Sequence, residues 1–173
     1  MVWTPNRAII SARAIPENLL TYVTDATRCR DTLDWALGSS TASTYKLLQK
    51  YTTSVLARST PVFPSIAFQD DTDGQDLSGD NIVGIYSVLF EVSIQNASAD
   101  TATTQARVYS KAIKSMIANC PVSTLTSGTG ATNAQVLSLE TGFLPIKTNE
   151  KQNDFLQQFQ VKAGISITLG ANT

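Results

Sequence analysis

The chain has 173 residues, 42% of them hydrophobic and 16% charged, with 13 Lys and Arg against 14 Asp and Glu for a net charge of −1. That length suits one domain with a real core, and the near-neutral balance excludes a generic nucleic-acid binder, which needs clustered cations to neutralise phosphates. Histidine is absent, which excludes Ser-His triads, His-ligated zinc or iron, and the usual proton shuttle at physiological pH.

A charged fraction of 16% is low against the usual quarter or so. Ser and Thr fill much of the polar remainder, giving a weakly charged surface suited to packing against other copies. Cys29 and Cys120 show no CxxC spacing and cannot form a zinc site alone. They read as small buried hydrophobes, with a single bridge as the other option. The opening segment carries Arg7 and Arg13 among short apolar groups and lacks a hydrophobic stretch followed by a cleavage site. No run approaches the ~20 apolar residues of a membrane span. The expectation is a protein kept in a cytoplasm, with no membrane partner and no cofactor.

In chain order, residues 1–16 read as an extended arm ending at Pro16. From Glu17 to about Arg30, Leu19, Leu20, Val23, Ala26 and Thr27 share a helical face, and the Gly38-Ser39-Ser40-Thr41 cluster breaks the pattern. Tyr45, Leu48, Tyr51, Thr52, Val55 and Leu56 repeat at helical spacing until Pro61 and Pro64 stop them. Residues 17–57 therefore form a predicted helical portion. A sheet-and-helix core follows at 62–169. Val62 to Phe68 reads as a short strand, and Asp70 to Asp80 as an acidic loop. Ile82 to Gln95 alternates with a period of two, with Tyr86, Val88, Phe90, Val92 and Ile94 on one face and Ser87, Glu91, Ser93 and Gln95 on the other. After a polar turn, Asp100 with Thr101 predicts an N-cap. The helix to Asn119 buries Ala106, Tyr109, Ala112, Ile113, Met116 and Ile117, and Pro121 ends it. A flexible Ser/Thr/Gly linker leads to a strand at Ala134–Leu139. Phe155 to Leu169 alternates again, with Phe159, Val161, Ala163, Ile165 and Ile167 on one side. The predicted class is α+β in one domain: an antiparallel or mixed sheet with a long helix on one face and additional N-terminal helices.

Each chemical constellation competes with a plain structural reading. Asp71, Asp73, Asp76 and Asp80 offer oxygens to a hard cation such as calcium. The spacing misses the EF-hand loop, because with Asp71 as the first position Gly74 is the fourth rather than the sixth; a solvated loop is the better reading. No Lys or Arg occurs between Arg58 and Arg107, so this stretch is wholly acidic, either an acidic lumen in a ring or an acidic contact surface. Arg107, Lys111 and Lys114 form one basic stripe, either an ordinary solvated helix face or a surface for an acidic neighbour, such as the 70–80 segment of another copy, or for a phosphate backbone. Ser43-Thr44-Tyr45-Lys46 matches S-x-x-K without its S-D-N or K-T-G companions. Ser127 to Thr132 resembles a phosphate-binding turn, but a strand follows it where a helix is required. Glu91 and Glu140 on predicted strands are the available carboxylate pair. Trp3, on the N-terminal arm, is a candidate anchor into a neighbouring subunit. No set reaches the standard of a catalytic site, and the expectation is a protein that is not an enzyme.

The run Ser87-Val88-Leu89-Phe90-Glu91-Val92-Ser93-Ile94, the helix through Tyr109-Ser110-Lys111-Ala112-Ile113 and the closing strand Phe159–Ile167 carry a resemblance of pattern and order over residues 82–169. The chain resembles the tail-terminator or tail-completion (neck) proteins of tailed bacteriophages. The resemblance implies a homo-oligomeric ring, commonly a hexamer, at the head–tail junction of a virion assembled in the host cytoplasm. Its implied partners are the tail tube protein, which it caps, the head connector and neck proteins, and genomic DNA passing through the lumen without sequence-specific binding. The helical portion departs from the shortest members, which keeps a head-side neck or adaptor protein open. A calcium-dependent binding domain and a carboxylate or Ser-Lys hydrolase are the readings from other classes.

Overall fold

The computed structural model describes residues 14–38, 45–51, 62–76, 82–149 and 153–169, with the backbone alone at 70–76, 82 and 149. Its elements in order are α1 (Ala14–Val23), α2 (Ala26–Leu37), β1 (Gln49–Tyr51), β2 (Ser65–Asp76), β3 (Ile82–Asn96), α3 (Ala99–Ala118), α4 (Val122–Leu125), β4 (Asn133–Phe143), β5 (Lys147–Asn149) and β6 (Asp154–Leu169). The strands form one sheet in the order β1-β2-β3-β6-β4, with β5 also on β6. Among the described residues only the β1–β2 pair is parallel. The chain is thus α+β with a mixed sheet, as the sequence predicts.

The two alternating segments pair with each other. β3 and β6 run antiparallel in unbroken register from Ile82 opposite Leu169 to Asn96 opposite Phe155. Direct partners share a face, so Tyr86, Val88, Phe90 and Val92 meet Ile165, Ala163, Val161 and Phe159 across one surface, and all eight are buried. Helix α3 lies on that surface through Ala102, Ala106, Tyr109, Ile113, Met116 and Ile117. Its alanines at positions 102, 106 and 112 let the helix approach closely, and Ser110 Oγ reaches Thr141 Oγ1 of β4 at 3.4 Å. The Ser98 hydroxyl, rather than Asp100 or Thr101, caps α3 by accepting from Thr101 N, leaving Asp100 in the first turn where its charge suits the helix dipole.

The N-terminal half departs from the sequence reading in several places. The arm predicted to run through Pro16 is already helical from Ala14, and Pro16 sits in the first turn, where its missing N–H costs nothing; residues 1–13 lie outside the described residues. The single helix expected over 17–30 is two helices. Asp25 divides them, since its carboxylate accepts from Arg28 N at 2.9 Å and caps α2. Gly38 ends α2 in the left-handed region, at φ 71°. The helix expected from Tyr45 to Leu56 is replaced, where described, by an irregular stretch and then β1. Gln49 N donates to Pro64 O at 2.9 Å, and Gln49 to Tyr51 pair with Ser65 to Ala67. Short apolar spacing is ambiguous between the two periods, and the backbone groups offered by the edge of β2 decide for the strand.

The acidic loop expected at Asp70–Asp80 is strand as far as Asp76, paired with β3 down to Val83 with one irregular step between Asp70 and Thr72. The polar composition is overridden because β3 supplies a long row of backbone partners. After α3, Asn119 and Pro121 introduce the one-turn helix α4. The linker expected to be flexible is a built turn. Gly128 and Gly130 take positive φ, and Thr129, buried between them, donates to Thr126 O at 2.7 Å and accepts from Ala131 N at 3.1 Å. β4 extends beyond the expected Leu139 to Phe143. Among the described residues no helix is long and apolar enough to cross a membrane.

Tyr109 ties the layers together. Its ring lies 5.7 Å from Tyr45, and its hydroxyl donates to Lys46 O at 2.5 Å. Tyr109→Phe leaves that carbonyl without its donor and is expected to cost about 1–3 kcal/mol of unfolding free energy. Ile113→Ala, at a fully buried position, is expected to cost about 2–5 kcal/mol. Urea unfolding followed by circular dichroism measures both.

Candidate assembly surface

The sheet has one well-defined open end. β4 is eleven residues long and, among the described residues, pairs with a strand only on its β6 side. An edge strand presents a row of unpaired N–H and C=O groups, which soluble proteins blunt with Lys, Pro or a bulge. β4 carries no Lys, Arg or Pro and a single charge, Glu140. Its one irregular step lies between Val136 and Ser138, and the residue there, Leu137, is 55% exposed. Phe143 and Ile146 are exposed farther along the same edge, Phe143 resting against Phe159 at 5.5 Å.

The basic stripe lies on the outer side of α3. Lys111 Nζ stands 4.6 Å from the centre of the Trp35 ring and within 3.4 Å of Ala36 O, so it clamps α3 to the end of α2. Arg107 is exposed and Lys114 half-buried, and neither makes an ion pair among the described residues. Trp35, 55% exposed, was not singled out by sequence reasoning. The signal was there: its position on α2 shares a face with Thr27 and Asp31 rather than with buried Cys29 and Leu33. The remaining α2 cations are structural. Arg28 stacks 3.7 Å over Tyr22 and donates to Tyr22 O, and Arg30 donates to Tyr45 O at 2.7 Å.

The other sequence candidates are scattered. Asp73 and Asp76 stand opposite Tyr86 and Val83, and Asp71 falls at the irregular step of β2; Asp80 and the side chains of the other three are outside the described residues. Among the described residues no three Cys, Asp or Glu side chains gather into a metal site. Ser43 and Trp3 also lie outside them, and Lys46 is in the irregular segment before β1, not on the helix an S-x-x-K site requires. Glu91 and Glu140 point to the same face of the sheet but on strands separated by β6, opposite Gln160 and Lys162. Glu91 is buried and Glu140 exposed.

That second face is less open than alternation suggests. Ser65, Ser93 and Gln158 are direct cross-strand partners on β2, β3 and β6 and are all buried. Gln158 Nε2 donates to Ser93 Oγ at 3.1 Å, and Lys147 Nζ donates to Gln158 Oε1 at 3.3 Å. Beside them Gln157 Nε2 donates to Leu144 O at 2.7 Å, fastening the chain where β4 passes into β5. Polar side chains expected at the solvent are thus spent on holding strands together. A cavity of about 160 Å³ between Lys46, Pro64, Gln95, Gln105 and Tyr109 has room for a few waters and gathers no acid–base pair.

No protein-family model and no curated protein sequence matches the chain. Among solved structures, it is similar to a chain from the "virion of native gene transfer agent (GTA) particle", at 14% identity and a TM-score of 0.39, over 91% of this chain and 95% of that one.

Three expectations follow. The Ser65 hydroxyl is buried without a hydrogen-bond partner, so Ser65→Ala is expected to raise the unfolding free energy by about 1 kcal/mol, measured in urea. Cys29 and Cys120 are unpaired and buried, as the sequence suggests. Burial pushes both thiols up, Cys120 to about 11 against an ordinary 9.0 although the Arg28 charge opposes it. A raised pKa favours the neutral folded form, so this contribution is full below pH 9 and is lost as pH rises toward 11. Unfolding free energy measured across that window should fall, and thiol reagents at pH 8 should label the native protein far more slowly than the unfolded one.

Proposed function

We propose that this protein is a structural component of a phage-type virion, a ring-forming subunit at the head–tail junction that ends the tail tube and joins it to the head connector, without catalytic activity. The observation that carries the reading is the β4 edge, long, almost uncharged and lined with exposed Leu137 and Phe143. In a monomer such an edge is an aggregation hazard. In an assembly it is a docking strand, because a neighbouring chain satisfies its backbone groups and covers its apolar side chains.

Supporting it are the resemblance of residues 82–169 to tail-terminator and neck proteins and a set of reactive-type side chains that do not converge. The carboxylates lie on separated strands, the thiols are buried and the candidate Ser-Lys lysine is off a helix. Heterologous contacts between identical subunits close into rings when the rotation per subunit divides a full turn. A head-side adaptor would use the same surfaces, and the assay below separates the two by what the ring binds.

Native mass across a concentration series, by light scattering, is expected to reveal a closed oligomer, and purified rings are expected to halt elongation of tail tubes. Leu137→Lys should raise the concentration needed for assembly at least tenfold while leaving urea stability within about 0.5 kcal/mol, since the residue is exposed in the single chain. A strict monomer in the presence and absence of tube ends overturns the proposal. Rings that ignore tubes but bind head connectors select the adaptor role.

A further inference from the structure

We infer that the neighbouring subunit pairs with β4 along Leu139–Phe143 alone, and that the bulge at Leu137 is what stops the pairing there. This rests on the reading of β4 as a docking strand between copies and names the backbone groups that dock.

The hydrogen-bond phase of the β4–β6 ladder decides which groups are open. In an antiparallel pair, successive residues turn their N–H and C=O alternately toward the partner strand and away from it. Leu144 N donates to Gln158 O at 3.0 Å, and the register is unbroken from Phe143 opposite Phe159 back to Ser138 opposite Gly164. Gly142, Glu140 and Ser138 therefore turn toward β6. Leu139, Thr141 and Phe143 direct their N–H and C=O the other way, to the side where β4 has no strand among the described residues.

Across the bulge the spacing changes. Val136 stands opposite Ile165 and Ala134 opposite Ile167, in the same phase of β6 as the partners of Leu139 and Thr141, so they too turn outward. The step between outward residues is two everywhere except from Val136 to Leu139, where it is three. A partner strand repeats every two residues, so it follows one side of the bulge or the other. Gly164 leaves the room that Ser138 occupies at this step, since a Cβ on residue 164 would come within 2.6 Å of Ser138 Oγ.

Two observations choose the side. Toward the start of β4, Ala134 N already donates to Asn133 Oδ1 at 2.9 Å, which leaves Val136 as the one outward donor there. Toward its end, Leu139, Thr141 and Phe143 stand opposite buried Ala163, Val161 and Phe159 on the face that carries α3, and Phe143 is 48% exposed there. Three open donors and an uncovered aromatic ring thus coincide, and one added strand covers them together. The net charge of −1 and the single acid of β4 leave little repulsion to oppose a second copy at this edge.

Amide hydrogen exchange on the full chain, resolved to single residues below and above the assembly concentration, tests this. Leu139, Thr141 and Phe143 are expected to exchange quickly in the single chain and about a hundredfold more slowly in the assembly. Val136 should not change, and Glu140 and Gly142, bonded to β6, should be slow in both. Deleting Leu137 restores the repeat of two, and protection in the assembly is expected to spread to Val136. Thr141→Pro removes an outward donor and no bond to β6, so it is expected to raise the assembly concentration about tenfold or more with the circular dichroism of the fold retained. Thr141→Ala, which keeps the N–H, should stay within about threefold of the wild type. If the wild type assembles and protection falls on Val136 or on neither side, or a folded Thr141→Pro assembles as well as the wild type, this pairing is wrong while the ring stands. If the folded deletion variant leaves Val136 unprotected in the assembly, the bulge is not the limit and the inference is overturned. Leu139, Thr141 and Phe143 already slow at the lowest concentration would mean that the chain covers its own edge, which also overturns it. If the wild type stays a single chain with and without tube ends, the ring reading fails and this pairing with it.

Discussion

The antiparallel pairing of β3 with β6 is the constraint from which the rest of this structure follows. It runs without a register break from Ile82 opposite Leu169 to Asn96 opposite Phe155, and because side chains alternate with a period of two, that register decides every other surface. A slip of β6 by one residue would turn Phe159, Val161, Ala163 and Ile165 outward together while Phe90 and Val92 stayed inward. With the register set, one broad apolar face exists, and α3, reached by the turn at Ala97–Ser98, has one place to lay Ala106, Tyr109, Ile113 and Ile117.

The same pairing explains why neighbouring segments adopt structure their composition does not favour. A central strand offers backbone partners on both edges, so the acidic half of β2 is drawn into the ladder along β3, and β4 is drawn along β6 past its apolar portion to Phe143. On the second face, Ser65, Ser93 and Gln158 align across three strands for the same reason. Their burial converts a solvent-type surface into a polar clamp, with the Ser65 hydroxyl left unsatisfied.

What the ladder does not resolve is its own ending at β4. An eleven-residue edge with one charge and exposed Leu137 and Phe143 is costly for a lone subunit and useful to an assembling one. The low overall charge is consistent with that use, since it limits repulsion between copies. A subunit built this way would owe its function to geometry and surface charge, not to a reactive group.

The sequence by itself determined the α+β class, the extents of β3, α3 and β6, and the residues they bury. Period-two alternation over fourteen or more residues and a long amphipathic pattern are strong local signals, and the core they imply is self-consistent. It also showed the charge asymmetry. Tertiary structure decided the rest. Whether Tyr45–Tyr51 is helix or strand depended on an available sheet edge, the division at Asp25 on a single cap, and the state of Asp70–Asp76 on pairing with β3. The exposure of Trp35 and the open edge of β4 depended on which elements pack beside them. Short or polar segments carry too little local preference to choose a conformation alone, so hydrogen-bonding partners far away in sequence choose it for them.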